Sequence, residues 1–182
     1  MSQRESDLAL VDEYVTNPSL KRHMLAVEAA VRAYARKFQQ DEALWGTVGL
    51  LHDFDYERWP DPPAHPLEGS KILRERGYPE EVIYAILSHA DYLADRYPRV
   101  SLLDKTLYAC DELCGFITAC AVLRPQKLEG LAASSVRKKM KQVSFAAAVS
   151  REDIVRGAAE LGVDLDEHID FCIKAMADAK IV

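Results

Sequence analysis

The sequence lacks long hydrophobic runs and an excess of positive charge. No apolar stretch approaches the roughly 18 residues that a membrane-spanning helix needs, and residues 1–10 carry acids where a signal peptide has its apolar segment. The 182 residues have a formal net charge of −6, which argues against broad capture of nucleic acid through a positive field. We therefore expect a cytoplasmic protein that binds neither membranes nor, in any broad way, nucleic acid.

Disulfide motifs and strand patterns are also missing from the sequence. The chain has four cysteines but no Cys-x-x-Cys pair, and Cys110, Cys114 and Cys120 fall within one helical pattern. Because no signal peptide precedes them, we interpret the cysteines as reduced core residues rather than as a disulfide framework or a zinc site. Alternation of apolar and polar residues with a period of two, the pattern of strands, is nowhere convincing. The sequence predicts an all-α fold.

Apolar residues recur at helical spacing along most of the chain. Capping residues, prolines and glycines mark where the predicted helices begin and end, at Asn17-Pro18, Asp41, His65-Pro66, Gly77, Pro79, Ser101, Ser150, Gly162 and Asp164. At 182 residues the chain suits one domain. Residues 124–149 are left open between a lid and a solvated helix, because they carry a basic cluster of Arg137, Lys138, Lys139 and Lys141.

Histidines and aspartates gather in the predicted core. Four of the five histidines lie between residues 23 and 89, at the end or on the inner face of a predicted helix, and two aspartates share that placement. An unpaired buried carboxylate costs several kcal/mol, so two of them need the positive charge that a metal ion supplies. A hydrogen-bonded core residue explains any one of these histidines. Together they indicate a metal centre formed by His23, His52, Asp53, His65, His89 and Asp111.

The order of these residues resembles a known family. Lys-Arg-His23-Met, Gly-Leu-Leu-His52-Asp53 and Tyr-Ala-Cys-Asp111-Glu are similar to the ligand motifs of the HD-domain superfamily of metal-dependent phosphohydrolases. His65-Pro66-Leu-Glu-Gly69 and Ile86-Leu-Ser-His89 are similar to the extra pair of its two-metal branches, including the HDIG and HD-GYP groups. The resemblance covers residues 19–115. It implies a single HD-type helical bundle over 1–182, with a metal-site core at 19–123 and a C-terminal helical part at 124–182.

The resemblance also implies a set of roles. The first divalent ion would be held by His23, His52, Asp53 and Asp111. His65 and His89 would hold a second ion, with Asp53 bridging the two. Imidazole and carboxylate ligands suit manganese, iron, nickel, cobalt or zinc and discriminate little among them. Water held between two ions becomes hydroxide near neutral pH, and the ions neutralise the phosphoryl charge. The implied reaction is hydrolysis of a phosphate ester of a nucleotide or another small phosphorylated metabolite.

Two residues near the ligands are further catalytic candidates. Asp104 shares a helix face with Asp111, where it either accepts the second ring N–H of a ligand histidine, caps its helix or pairs with a surface lysine. Many relatives have a phosphate-contacting lysine three residues after the His-Asp pair, but this chain has Tyr56 there. Arg58, two residues further on, either replaces that lysine or is an ordinary surface arginine.

Three residues are candidate substrate contacts. Tyr108 lies on the helix face of Asp111, where it either reaches substrate or packs in the core. Lys138 and Lys139 either clamp a phosphate or belong to a solvated face. The remaining histidine, His168, begins the final helix beside acidic residues, and we predict that it lies at the surface.

Two other functions are compatible with the ligand pattern. A minority of HD-domain relatives use the same six residues in a di-iron oxygenase. A noncatalytic binding module, in which the metal only holds the helices together, is the second alternative, and an open coordination position would argue against it. The sequence leaves the substrate, the metal and the oligomeric state open.

Overall fold

The computed structural model describes residues 2–182, and helices account for all of the regular structure in that range. The elements are α1 (Gln3–Tyr14), α2 (Pro18–Lys37), α3 (Glu42–Leu51), α4 (Ala64–Glu75), α5 (Glu80–Ser88), a short 3-10 helix (Asp91–Leu93), α6 (Leu102–Val122), α7 (Ala133–Met140), α8 (Arg151–Leu161) and α9 (Leu165–Asp178). No strand occurs among these residues. The prediction of an all-α fold is confirmed.

Local signals in the sequence set most of the helix boundaries. The Asn17 side chain accepts hydrogen bonds from two N–H groups in the first turn of α2, and Asp41 does the same for α3. Asp164 caps α9 in the same way. Gly162 ends α8 with a φ of +74°, a left-handed conformation that glycine adopts without a Cβ clash. The sequence analysis missed α1, although the side chains of Ser2 and Glu5 form a capping box at its start.

The helix α2 lies at the centre of the fold and packs against α3, α6 and α9. Its buried stripe includes Met24, Val27, Val31 and Tyr34, which are inaccessible to solvent. Gly49 on α3 sits so close to α2 that an added Cβ would lie 2.9 Å from the Cα of Glu28. This close approach brings the start of α2 and the end of α3 together, and both carry proposed metal ligands.

The start of α4 is distorted at a proposed ligand. His65 has φ −77° and ψ 134°, which is extended rather than helical backbone, and Pro66 also departs from helical angles. The regular part of α4 therefore begins after Pro66. His65 lies in a turn at the head of the helix, where its ring faces the end of α3.

Two further predictions concern membranes and cysteines. Within residues 2–182, none of the helices combines the length and apolar character needed to cross a membrane. All four cysteines are buried free thiols, as expected for reduced core residues.

Candidate metal centre

Four proposed ligands from three helices converge on one point. His23 is on α2, His52 and Asp53 follow the last turn of α3, and Asp111 is on α6. The Nε2 atom of His23 lies 3.1 Å from Nε2 of His52 and 3.0 Å from Oδ1 of Asp111. Oδ2 of Asp53 lies 3.4 Å from Nε2 of His52. Asp53 reaches the same point as its neighbour because the helix ends at His52.

A second group of three side chains adjoins the first. Nε2 of His65 lies 3.2 Å from Oδ1 of Asp53 and 3.3 Å from Nε2 of His89. Nε2 of His89 lies 3.6 Å from the same Asp53 oxygen. Asp53 therefore turns one carboxylate oxygen toward each group, which is the arrangement of a bridging ligand.

The hydrogen bonds of the histidine rings leave lone pairs facing one another. Nδ1 of His52 lies 2.9 Å from the carbonyl oxygen of Gly49, so this nitrogen carries the proton and Nε2 of the neutral ring is a bare acceptor. His89 makes the equivalent bond to the carbonyl of Ile86. In His65 the donor Nδ1 lies 2.7 Å from Oδ1 of Asp55. The free Nε2 atoms then point at other acceptors, and such a cluster needs protons or a cation.

The spacing of these atoms fits a metal ion. Ligand atoms about 2.1 Å from a shared ion lie roughly 3.0–3.4 Å apart in octahedral or tetrahedral geometry. The distances of 3.0, 3.1 and 3.4 Å in the first group agree with that range, and the 3.6 Å between Nε2 of His23 and Oδ2 of Asp53 lies slightly beyond it. The ligand atoms within each group lie within 4.8 Å of one another. Both groups therefore fit a divalent cation, and the number and identity of the ions stay a prediction.

The carboxylate that orients His65 is Asp55, which the sequence analysis did not single out. Its side chain is 1% exposed, and it accepts from Nδ1 of His65 and from the backbone N–H of Gly69 at 2.7 Å each. A Cβ on Gly69 would lie 2.7 Å from the Asp55 carboxylate, so a larger residue there would disturb this contact. The sequence did contain a signal for this role, because Asp55 is a second carboxylate only two residues after the proposed ligand Asp53.

Carboxylates control the charge of this cluster in the absence of metal. Burial disfavours protonation of His52, but Asp53 and Asp111 outweigh it and raise its pKa well above the usual value. Burial likewise opposes the charge of His65, and Asp53 and Asp55 raise its pKa to about 9. Burial works against ionisation of Asp111, yet His52 and His23 hold its pKa below the usual range. Metal ions therefore compete with protons for these nitrogens.

A cavity of about 560 Å³ opens onto both groups. Its wall includes His23, Asp53, His65, His89 and Asp111. The side chains of His23, Asp53 and Asp111 remain 15–21% exposed, whereas that of His52 is fully buried. The proposed metal centre is thus reachable from solvent on one side.

Several other residues of the cavity wall are acidic or aromatic. Beyond the proposed ligands they include Tyr56, Asp91, Tyr92, Tyr108, Glu112 and Asp153. Burial and the neighbouring Asp111 raise the pKa of Glu112 to about 7. Among residues 2–182, no lysine or arginine side chain lines this cavity. The sequence analysis had noticed only the two tyrosines at 56 and 108.

The two additional catalytic candidates lie away from the ligands. Asp104 is 2% exposed, and its Oδ2 atom accepts from the N–H groups of Val100 and Ser101 in a capping box at the start of α6. Of the three roles that the sequence left open for Asp104, the structure supports the helix cap rather than a hydrogen bond to a ligand histidine. Arg58 donates to the carbonyl of Glu13 and lies 3.8 Å from the ring centroid of Tyr14. These contacts hold its guanidinium against α1, outside the cavity wall.

The three substrate candidates divide into one cavity residue and two surface residues. Tyr108 lines the cavity, and its hydroxyl contacts Asp91 and Asp153 at 3.3 and 3.0 Å. Lys138 is exposed on α7, and Nζ of Lys139 lies 4.9 Å from the ring centroid of Phe145. Neither lysine is part of the cavity wall, so the solvated-face interpretation of the basic cluster fits the structure.

The prediction that His168 lies at the surface was wrong, since it is 1% exposed. Its Nδ1 accepts from the Tyr34 hydroxyl at 2.6 Å, and its Nε2 donates to the carbonyl of Ala109 at 2.9 Å. Cys110 and Cys172 lie close enough to form a third group of potential ligands with it. Burial lowers the pKa of His168. Because both ring nitrogens have protein partners, we interpret this group as a polar part of the core.

The comparisons with known proteins identify one family. A family model described as HD domain matches residues 20–115, which is more than half of the 182-residue chain. Neither the curated proteins nor the solved structures that were compared with the chain gave a match. The matched range begins before His23 and ends after Asp111, so it contains every proposed ligand. The C-terminal helices α7, α8 and α9 lie outside it.

Proposed function

The chain belongs to the HD domain family, and from this membership and its site we propose that it is a metal-dependent phosphohydrolase. The substrate is a phosphate ester of a nucleotide or another small phosphorylated metabolite. The observation that carries the proposal is the placement of Asp53, whose two carboxylate oxygens face two separate groups of imidazole nitrogens. Phosphate-ester hydrolysis uses such adjoining sites, because it needs both a nucleophile and a neutralising charge.

In this proposal the ligands hold the metal ions, and other groups of the chain orient the ligand rings. His23, His52, Asp53 and Asp111 would hold one ion, and Asp53, His65 and His89 the other. When bound, such ions supply an acidified water as nucleophile and positive charge for the phosphoryl oxygens. The chain itself fixes the rings of His52 and His89 through backbone carbonyls and that of His65 through Asp55. These bonds keep the Nε2 lone pairs aimed at the centre before any substrate arrives.

The cavity supports a reaction rather than a purely structural role. Structural metal sites are normally closed by protein ligands, whereas His23, Asp53 and Asp111 are partly exposed to a cavity large enough for a small metabolite. Tyr56, which takes the place of the lysine found in many relatives, lines the same cavity beside His65, with the two ring centroids 5.2 Å apart. We propose that its hydroxyl donates to the phosphate.

An assay with defined metals tests this function. The protein is purified without chelator, stripped with chelator, and reloaded with manganese, cobalt, nickel, zinc or ferrous iron. Hydrolysis of p-nitrophenyl phosphate and of nucleoside monophosphates is then measured by phosphate release. We expect turnover that depends on at least one metal and is lost in Asp111→Ala purified in parallel, which also controls for contaminating phosphatases.

Two outcomes would contradict the proposal. The first is no phosphate release with any of the five metals. The second is a coloured protein with the electron paramagnetic resonance signal of a mixed-valent iron pair and substrate-dependent oxygen consumption. That result would instead establish the di-iron oxygenase alternative.

A further inference from the structure

The segment that carries His89 has little regular structure of its own. The helix α5 ends at Ser88, and His89 is followed by the short 3-10 helix and by a loop that leads to α6. Nδ1 of His89 donates to the carbonyl of Ile86, which fixes the ring relative to the end of α5. His23 and Asp111, in contrast, lie within α2 and α6, two long helices that pack on each other. The position of His89 therefore depends also on contacts from other parts of the chain.

Arg99 binds the chain on both sides of His89. Its Nη1 donates to the carbonyl of Ser88 at 3.2 Å and to Oδ1 of Asp91 at 2.9 Å. One guanidinium thus joins the residue before His89 to the residue two positions after it. The central carbon of this guanidinium lies 3.6 Å from the ring centroid of Tyr108 on α6. The Arg99 side chain is only 8% exposed, so water competes little for these contacts.

The other edge of the Arg99 guanidinium is held by α8. Glu160 accepts from Nε at 2.7 Å and from Nη2 at 2.9 Å, which is the two-point geometry of strong arginine–carboxylate pairs. Arg156, one turn earlier on α8, also contacts Asp91. This helix lies outside residues 20–115, which match the HD domain model. A helix beyond the matched range is therefore linked through Arg99 to the segment that carries a proposed ligand.

The contacts of Arg99 suit a role in positioning better than a role in stability alone. A buried ion pair adds little net stability, because removing its charges from water costs about as much as their attraction returns. Arg99 nevertheless donates four hydrogen bonds, and two of them end on Ser88 and Asp91. These two bonds restrict how far the backbone at His89 can shift.

We propose that Arg99 and Glu160 are positioning residues that keep His89 within reach of the second ion. The proposal rests on the two-ion centre of the function proposed above, in which Asp53, His65 and His89 hold that ion. Neither Arg99 nor Glu160 lines the cavity at the metal centre, so both act through the backbone that carries His89. Their loss weakens the second ion and leaves the first ion in place.

Metal titration of two variants tests this role without relying on turnover. Protein stripped with chelator is titrated with manganese in a calorimeter, and the two binding steps are compared between variant and wild type. In Arg99→Gln the shorter side chain cannot join Glu160 to Ser88 and Asp91, so the second step should weaken by about tenfold while the first is unchanged. Glu160→Gln removes the charge that holds one edge of the guanidinium, and it should weaken the second step several-fold. The Glu160 side chain is 30% exposed, so this variant should fold even if Arg99→Gln does not.

A second ion pair controls for a general loss of stability. Nε of Arg32 lies 2.8 Å from Oε1 of Glu28, whose side chain is 4% exposed, and Nη1 of Arg32 donates to the carbonyl of Glu42. Arg32 lies about 13 Å along α2 from His23. Arg32→Gln should therefore lower the melting temperature and leave both binding steps unchanged. Two results would overturn the proposal: an unchanged second step in both Arg99→Gln and Glu160→Gln, or a parallel weakening of both steps.

Phosphate release measured in parallel separates this proposal from the proposed function. A wild-type protein that binds two ions but hydrolyses no phosphate ester would count against the phosphohydrolase, and a selective loss of the second step in the variants would still support the positioning role. Hydrolysis by the wild type, together with an unchanged second step in both variants, would retain the phosphohydrolase and overturn the positioning role. A single binding step in the wild type would overturn it as well.

Discussion

Two clusters in this protein consist of groups of potential metal ligands, with the ligand atoms of each group within 4.8 Å of one another, yet the two clusters use their lone pairs differently. In the core cluster of Cys110, His168 and Cys172, both nitrogens of the imidazole have protein partners. In the cluster around Asp53, the rings of His52, His65 and His89 use Nδ1 for such bonds and direct Nε2 at other acceptors. Proximity of ligand atoms is therefore a weaker sign of a metal site than unsatisfied acceptors.

The two clusters also differ in charge and access. In the cluster around Asp53, two carboxylates, Asp53 and Asp111, face the imidazoles, and a cavity reaches these groups. Burial raises the pKa of Cys110 and keeps the core cluster neutral, since a buried thiolate would lack compensation. Metal uptake by the core cluster, or failure of the Asp53 cluster to take up metal, would contradict this distinction.

The largest effect is expected from Asp53→Asn. Because Asp53 contributes one oxygen to each group, the amide should remove or weaken both ions and lower kcat/KM by roughly a thousandfold or more. Metal per chain is measured by elemental analysis and kcat/KM by phosphate release. Asp95→Asn, at an exposed position outside the cavity, serves as the control and should behave as the wild type. Full metal content in the Asp53 variant would refute a shared ligand.

His168→Ala should cost stability without affecting metal. The change leaves the Tyr34 hydroxyl and the Ala109 carbonyl unsatisfied and creates a cavity, which together should lower the free energy of unfolding by about 2–4 kcal/mol. Urea unfolding with chelator present measures this cost without a contribution from metal binding. Cys172→Ala keeps both hydrogen bonds of His168 and should cost less. Reduced metal content in either variant would mean that the core cluster binds metal as well.

A smaller effect is expected from Asp55→Asn. The amide oxygen can still accept from His65, but the negative charge that strengthens this ligand is lost. Affinity for the second ion should fall by about 10- to 100-fold, while the first ion is retained. Titration calorimetry of the metal-free protein resolves the two binding steps. A parallel loss of both steps would show that Asp55 supports the whole centre rather than His65 alone.

Local sequence patterns were sufficient to predict much of the fold and to propose the metal ligands. Caps such as Asn17 and Asp41 act within one helical turn, so the sequence exposes them directly. The failures involve contacts between distant segments. His168 was placed at the surface from its acidic neighbours, although Cys172 four residues later marked the face that packs on α6. Asp104 was ambiguous because a helix cap and a partner for a ligand histidine require the same residue type.

The carboxylates of the cavity wall beyond the proposed ligands were the feature of the site that the sequence indicated least. Asp91, Glu112 and Asp153 lie on three elements, and nothing in their local sequence indicates a shared cavity. Asp153 also follows Ser150 by three residues, and its backbone N–H donates to the Ser150 side chain that caps α8. Only tertiary packing reveals that its side chain lines the same cavity as the proposed ligands.

The smallest effect is expected in the pH dependence of the melting temperature, measured with and without metal in the Asp53 cluster. In the metal-free protein the pKa of His65 is raised to about 9 from the usual 6.5. A raised pKa stabilises the fold fully below pH 6.5, and this stability is lost as the pH rises through 9. The melting temperature of the chelated protein should therefore fall by a few degrees between pH 6.5 and 8.5. His52 acts in the same direction, because its pKa is also raised.

Metal should reverse this trend, because an ion takes the place of the proton and binds more tightly as the pH rises. The depressed pKa of Asp111 does not contribute, since this carboxylate is ionised in both states above pH 6.5. Ending the series at pH 8.5 avoids the buried thiols, whose raised pKa values destabilise the fold only at higher pH. His65→Gln should make the fall in melting temperature of the chelated protein smaller, while the raised pKa values of His52 and Glu112 still contribute to it. The same fall in melting temperature with and without metal would mean that protons and ions do not compete at His65.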